Sequence, residues 1–207
     1  DFDKSSPQIQ VQIATSFISI EQARMNLEHE VPAWNFKQLC NNTKKAWNDK
    51  LSKFHIKGNN KDDAPIFYTA LYHCYLFPRE FSEYGKYYSA FDDQIHDGFS
   101  YNDYSLWDTF RAFHPLMTLI EPKLTGNWIT ALLQMYKEGG WLPMWPNPSY
   151  TNIMIGTHAD AVIADAYMKG IRNYDINLAY EALRKDATVP PDCDTQRRYG
   201  DRDYWTS

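Results

Sequence analysis

Three prolines and two tryptophans crowd the ten residues from Trp141 to Tyr150, between the pair Gly139-Gly140 and a stretch of helical periodicity. Each proline removes a backbone donor and fixes φ, so no regular element passes through Pro143, Pro146 and Pro148. The segment must be a stiff loop that holds Trp141 and Trp145 with little entropy left to lose. Flat aromatic faces on a rigid loop beside a helix start suit a sugar-binding cleft. They equally suit a well-packed core loop, and composition alone leans toward the core.

The helix that follows is read more closely. At about 100° per residue, Ala159, Val162, Ile163 and Ala166 fall on one apolar face. His158 and Asp165 flank it on one side, Asp160 and Tyr167 on the other, and Gly170 stands where a left-handed residue would end the helix. A histidine near a helix start is either a satisfied polar group or a site residue. Its place just beyond the aromatic loop keeps the second reading open for His158.

Length and charge set bounds. The chain has 207 residues, enough for one sizeable core or for one domain with a piece of another. A net charge of −5 without any basic run argues against a nucleic-acid partner. No apolar stretch approaches the roughly 20 residues that span a bilayer. The opening Asp1-Phe2-Asp3 carries neither an initiator Met nor a signal peptide, so a processed form or an excised piece is expected. Cys40, Cys74 and Cys193 lack metal spacing and allow at most one internal disulfide. Asn41-Asn42-Thr43 is a single sequon, a triplet that also occurs by chance.

Taken in order, Ile9, Val11 and Ile13 alternate with polar residues and predict a strand over Gln8 to Ile18 that has no partner nearby. Ser19 with Gln22 predicts a capped helix to about Glu30, and a second helix starts near Asn35 and carries apolar residues to Phe54. Asp63 is the expected cap of a third helix with Pro65 in its first turn. Phe81 to Tyr101 reads as irregular and acidic. Asp92, Asp93 and Asp97 give a DDxxxD spacing, which in terpenoid synthases binds magnesium and a diphosphate, but no long apolar helix flanks it and a solvated loop is the better reading. One helix is expected from Asp103 through Ile120, with Trp107, Asp108 and Arg111 able to present together off its apolar face, for sugar or as a surface ion pair. Helices follow at Thr125 to Lys137, Gly156 to Lys169 and Asp175 to Lys185, then a polar tail from Thr188 to Ser207. Seven helices in series, with aromatics in the loops, predict a mostly α fold, in the manner of an α/α toroid.

Three stretches carry a family resemblance: YSLWDTFRAFHPLMTLIEP (Tyr104 to Pro122), GGWLPMWPNPSYTNIMIGTHADAVIADAYMKGI (Gly139 to Ile171) and the terminal YGDRDYWTS, with SFISIEQARMNLEHE (Ser16 to Glu30) ahead of them. Together they resemble glycoside hydrolase family 92, the calcium-dependent, inverting exo-α-mannosidases that join an N-terminal β-sandwich to a C-terminal (α/α)6 barrel. The resemblance implies that residues 1–18 are the tail of an upstream sandwich, 19–60 linker helices, and 61–207 the first part of the toroid. It implies mannose-containing glycans as substrates, calcium held mostly by residues outside this chain, and a secreted or periplasmic location. The rest of the same polypeptide, or a second chain, would complete the barrel.

The resemblance also assigns roles. The family's general acid is a Glu four residues before the Met of a Met-x-Gly-x-His motif, which here is Met154, Gly156 and His158; that position holds Tyr150. A phenol of unperturbed pKa about 10 is a poor acid for a sugar leaving group, so Glu138 is the fallback. Trp107, Asp108, Arg111, Trp141, Trp145, His158 and Asp160 are the expected substrate-binding residues, and no metal ligand is assigned. The expected function is a fragment of an inverting α-mannosidase, and the alternative is a lapsed member that binds glycans or serves a structural role.

Overall fold

The computed structural model describes residues 9–151 and 153–189, and the chain divides into two compact units at Lys57 and Gly58. Each unit is treated by itself.

In the first unit, α1 spans Ile20–Glu30 and α2 spans Phe36–Leu51. Both start where side chains can take up orphan donors: Ser19 Oγ accepts from the Gln22 N–H at 3.1 Å, and Asn35 Oδ1 from the Gln38 N–H at 3.0 Å. The strand expected over Gln8 to Ile18 does not form, since residues 9–18 belong to no ladder among the described residues. Their exposure nevertheless alternates, and Val11 (72%), Ile13 (81%) and Phe17 (58%) face outward. The period-2 pattern is real, but a strand needs a second edge to bond, and none pairs with this one. The Ser16 hydroxyl, accepting from the Ile18 and Ser19 N–H groups, turns the chain into α1.

The second unit opens with α3 (Asp63–Cys74) and continues through β1 (Arg79–Glu80), β2 (Lys86–Ser89), β3 (Gln94–Asp97) and β4 (Tyr101–Asn102). The helices α4 (Leu106–Thr109), α5 (Phe113–Ile120), α6 (Pro122–Gly139), α7 (His158–Met168) and α8 (Ile176–Thr188) follow. α6 is the centre. Its Ile129, Leu132, Leu133 and Met135 are buried together with Met117 of α5, Val162, Ile163 and Ala166 of α7, and Ala179 and Ala182 of α8. Each fully buried Leu or Ile there contributes roughly 1.5–3 kcal/mol. The apolar face read on α7 is the buried one, and Gly170, at φ 86°, closes that helix as expected.

Four expectations change. Asp62, not Asp63, is the N-cap of α3, while the Asp63 carboxylate accepts from the Asn60 N–H inside the preceding loop. The segment Phe81 to Tyr101 is not irregular: β2 and β3 form an antiparallel hairpin, and β1 pairs with β4. The helix expected from Asp103 to Ile120 is broken at Ala112 (φ −136°). Pro115 explains the break, because it lacks an N–H and its ring collides with the carbonyl four residues back, at Arg111. The next helix begins earlier than Thr125, with Pro122 at a first-turn position where its missing donor costs nothing. Most of the polar tail, 190–207, lies outside the described residues.

Candidate functional site

α4 is one turn long, and its two sides carry different chemistry. Its register follows from Ser105, whose carbonyl accepts from the Thr109 hydroxyl at 2.9 Å and whose own hydroxyl donates to Asp108 Oδ2 at 2.7 Å.

On one side, Trp107, Arg111 and His158 come together, as the sequence suggested. The Arg111 guanidinium lies 4.7 Å from the ring centres of both Trp107 and Phe110, and its Nη1 donates to the Trp107 carbonyl at 2.9 Å. His158, the first residue of α7, meets Trp107 edge-on at 5.2 Å and Phe110 at 4.2 Å. Gly156 makes this possible: it has φ 83°, and a Cβ there would fall 2.4 Å from His158 Cε1. His158 Nδ1 is buried without a hydrogen-bond partner. Arg111 and Asp108 are both exposed, and Asp108 turns back to Ser105 rather than toward the rings. Asp160 lies in the first turn of α7, half-buried, where a carboxylate complements the helix dipole.

The other side faces a cavity of about 670 Å³. Ser105 and Thr109, one turn apart, line it together with Trp145 and Asn147 of the proline loop, Arg79 and Asp103 near the β1–β4 pair, and His114 of α5. Arg79 Nη2 and Asp103 Oδ2 are 2.8 Å apart. Asp103 has φ 64°, and the buried Asn102 holds it there: Asn102 Oδ1 accepts from the Asp103 N–H, while its Nδ2 donates to the Pro148 carbonyl, each at 2.7 Å. His114 is 2% exposed, and burial pushes its pKa down to about 4, so it is neutral at ordinary pH.

Trp141, Tyr150 and Glu138 lie at neither place. Trp141 is buried, with Lys185 Nζ 4.4 Å from its ring centre. Tyr150 ties the neck of the proline loop: its hydroxyl accepts from the Trp141 N–H at 3.0 Å and donates to the Trp141 carbonyl at 2.5 Å. Phe91 packs edge-on against its ring at 4.7 Å. Glu138 sits beneath the hairpin with both oxygens engaged, one by the Tyr87 hydroxyl and the other by the Ser89 hydroxyl at 2.6 Å. Burial, followed by the hydrogen bond to Glu138, pushes the Tyr87 hydroxyl well up, so Tyr87 remains a donor. The DDxxxD carboxylates serve this hairpin too: Asp92 contacts His96 at 2.9 Å, and Asp93 accepts from the Tyr88 hydroxyl at 2.8 Å.

Arg79, Asp103, Asn102 and His114 escaped the sequence reading. Only Asn102-Asp103, a pair that tolerates positive φ before a helix start, offered a local signal.

Residues 22–207 match the family model of the glycosyl hydrolase family 92 catalytic domain. The chain belongs to glycoside hydrolase family 92. It is 31% identical over 201 residues to an uncharacterized secreted glycosidase of Arthroderma benhamiae, across 93% of this chain and 22% of that protein. Among solved structures, it resembles a family 92 inverting mannosidase of Bacteroides thetaiotaomicron, with TM-score 0.82 and 35% identity over 87% of this chain and 25% of that one. A second α-mannosidase of that bacterium, solved with mannoimidazole, matches with TM-score 0.80 and 30% identity, across 86% and 24% of the two chains. The chain thus spans about a quarter of the length of these relatives. Its mostly α fold corresponds to part of the family's (α/α)6 toroid.

Proposed function

We propose that this chain supplies the mannose-holding wall of an exo-α-mannosidase that removes terminal α-linked mannose from glycans. The observation that carries the reading is the convergence of Trp107 of α4, Arg111 of the turn after it and His158 of α7, residues that the family resemblance marks for the mannose subsite. The Trp107 ring offers an apolar face to the C–H side of a pyranose, and the exposed guanidinium and Asp108 carboxylate offer donors and acceptors to its hydroxyls. His158 Nδ1 gains the partner it lacks when a sugar hydroxyl reaches it.

Inversion requires an acid and a base, with carboxyls about 6.5–9.5 Å apart. Tyr150, at the family's acid position, commits its proton to the Trp141 carbonyl, and both Glu138 oxygens are occupied as acceptors. We therefore read Tyr150 as a poor acid and place the base elsewhere in the polypeptide or on a second chain completing the barrel. Calcium takes 6–8 oxygen ligands. Among the described residues no three His, Cys, Asp or Glu side chains form a group that could hold a metal ion; we infer that the calcium the family resemblance implies is held mostly by residues outside this chain, and no step here runs through it. In keeping with the secreted fungal relative, we place the protein outside the cytoplasm. No helix among the described residues is long and apolar enough to cross a membrane.

The second reading, a lapsed member that binds glycans, draws on that inward-turned Tyr150 hydroxyl. Mannose release from an aryl α-mannoside and from α-mannobiose by the full-length protein tests both readings. Hydrolysis of the aryl substrate, with mannobiose slower, is expected. Binding of mannose with turnover of neither favours the lapsed member, and no mannose binding at all overturns the proposal.

A further inference from the structure

We propose that the cavity on the opposite side of α4 from Trp107 is a second carbohydrate site, taking a neutral pyranose unit. Three observations converge on that ligand class. The charged groups at the cavity, Arg79 and Asp103, neutralise each other at 2.8 Å, so the cavity has no excess charge to attract an ion. Side by side, they present a fork of donors next to a carboxylate acceptor, which suits vicinal hydroxyls that both donate and accept. Trp145 supplies an aromatic wall, with Phe77, Pro78 and Phe113 as further apolar lining and Ser105, Thr109 and Asn147 as hydroxyl and amide contacts.

The third observation is His114. It is 2% exposed, it lines the cavity, and its Nδ1 has no hydrogen-bond partner. A buried, unpartnered imidazole nitrogen is costly unless a water or ligand group reaches it. The site is also built rather than left over. Asn102, 4% exposed, bonds the Pro148 carbonyl and the Asp103 N–H together, fixing the carboxylate against the loop that carries Trp145. Asp103 holds φ 64°, a conformation that aspartate tolerates, and Asn102 fixes its backbone there. The volume, about 670 Å³, lies in the ordinary range of small-ligand pockets.

The test is calorimetric titration of the full-length protein with methyl α-thiomannoside, which resists hydrolysis, and with the corresponding gluco, galacto and N-acetylglucosamine glycosides. At least one should bind at a site that Trp145→Ala and Asp103→Asn each weaken about tenfold or more. Trp107→Ala should leave that site intact. Asp103→Asn is nearly isosteric, so it answers the question even if the tryptophan variant misfolds. If no glycoside binds in a manner sensitive to either substitution, the inference is overturned. Loss of every binding event in Trp107→Ala also overturns it, since the cavity would then have no site of its own. If instead only the Trp107-dependent event is missing from the wild type, the mannose proposal fails and the cavity site stands.

Discussion

The two sides of α4 are built differently. On the Trp107 side, three aromatic side chains and a guanidinium pack into a platform whose members come from α4, the turn that follows it and α7, and touch one another directly. On the Trp145 side, the walls come from α3, β1, α4, α5 and the proline loop, and they surround space instead of filling it. The platform is held by contacts among its own residues. The cavity is held by groups one layer away, chiefly Asn102, which ties Asp103 to the proline loop, and Tyr150, which ties the neck of that loop. A residue's role can therefore be read from its neighbours on the first side, but only from its supports on the second.

The largest effect should come from removing a support. Glu138→Ala strands the Tyr87 and Ser89 hydroxyls, each on a residue 3% exposed, under a hairpin that also packs Phe91 on Tyr150. At about 1–3 kcal/mol per stranded buried donor, the unfolding free energy should fall by roughly 3–4 kcal/mol in urea titration. Glu138→Gln, which keeps one acceptor, should recover part of it. If both variants match the wild type, Glu138 is not what holds the hairpin.

A pH series sharpens the contrast next. His114 belongs to the cavity side, and its pKa in the folded protein is about 4, below the ordinary 6.5, because burial disfavours the charged ring. Between these values the unfolded chain binds more protons, so this contribution to stability is full above pH 6.5 and is lost as pH falls toward 4. At about 1.4 kcal/mol per pKa unit the loss is at most about 3.5 kcal/mol. Unfolding free energies at pH 7, 5.5 and 4.5 should show the decline in the wild type, and His114→Leu should remove that component. An identical decline in the variant would assign the window to other groups.

A smaller effect is expected at the loop neck. Tyr150→Phe removes the hydroxyl that bonds both the N–H and the carbonyl of the buried Trp141, at a cost of about 1–2 kcal/mol in thermal or urea unfolding. The loss should weaken glycoside binding at the Trp145 side more than at the Trp107 side. Equal weakening at both would mean that the loop sets the two sides alike.

The sequence spoke unevenly about these regions. α7 was legible because periodicity, the flanking Gly170 and the buried face all agree, and no tertiary contact overrides them. The platform was legible because Trp107 and Arg111 are four residues apart, at a helical spacing that the turn after α4 preserves, and the family motifs place His158 close to the same loop. The hairpin was not: Tyr87 and Ser89 are buried by Glu138, about fifty positions away, and local pattern carries no trace of that pairing. The split between α4 and α5 was written in Pro115, yet the apolar periodicity of Leu106, Phe110, Phe113 and Met117 runs straight across it. The cavity was illegible for the same reason as the hairpin. Cys74, Asp103 and Trp145 meet only after folding, and each alone reads as an ordinary loop or helix-end residue. The strand expected over Gln8 to Ile18 shows the reverse case, a true local pattern without a partner among the described residues.

The central claim is that the Trp107 platform holds mannose. The most direct measurement is calorimetric titration of the full-length protein and its Trp107→Ala and Arg111→Ala variants with methyl α-thiomannoside. Each substitution removes a face or a donor from the ring, and should weaken one binding event by roughly 5- to 150-fold, corresponding to about 1–3 kcal/mol. The Trp145-dependent event should remain as it is in the wild type. Affinity unchanged in both variants would contradict the account and return Trp107 and Arg111 to a packed surface pair.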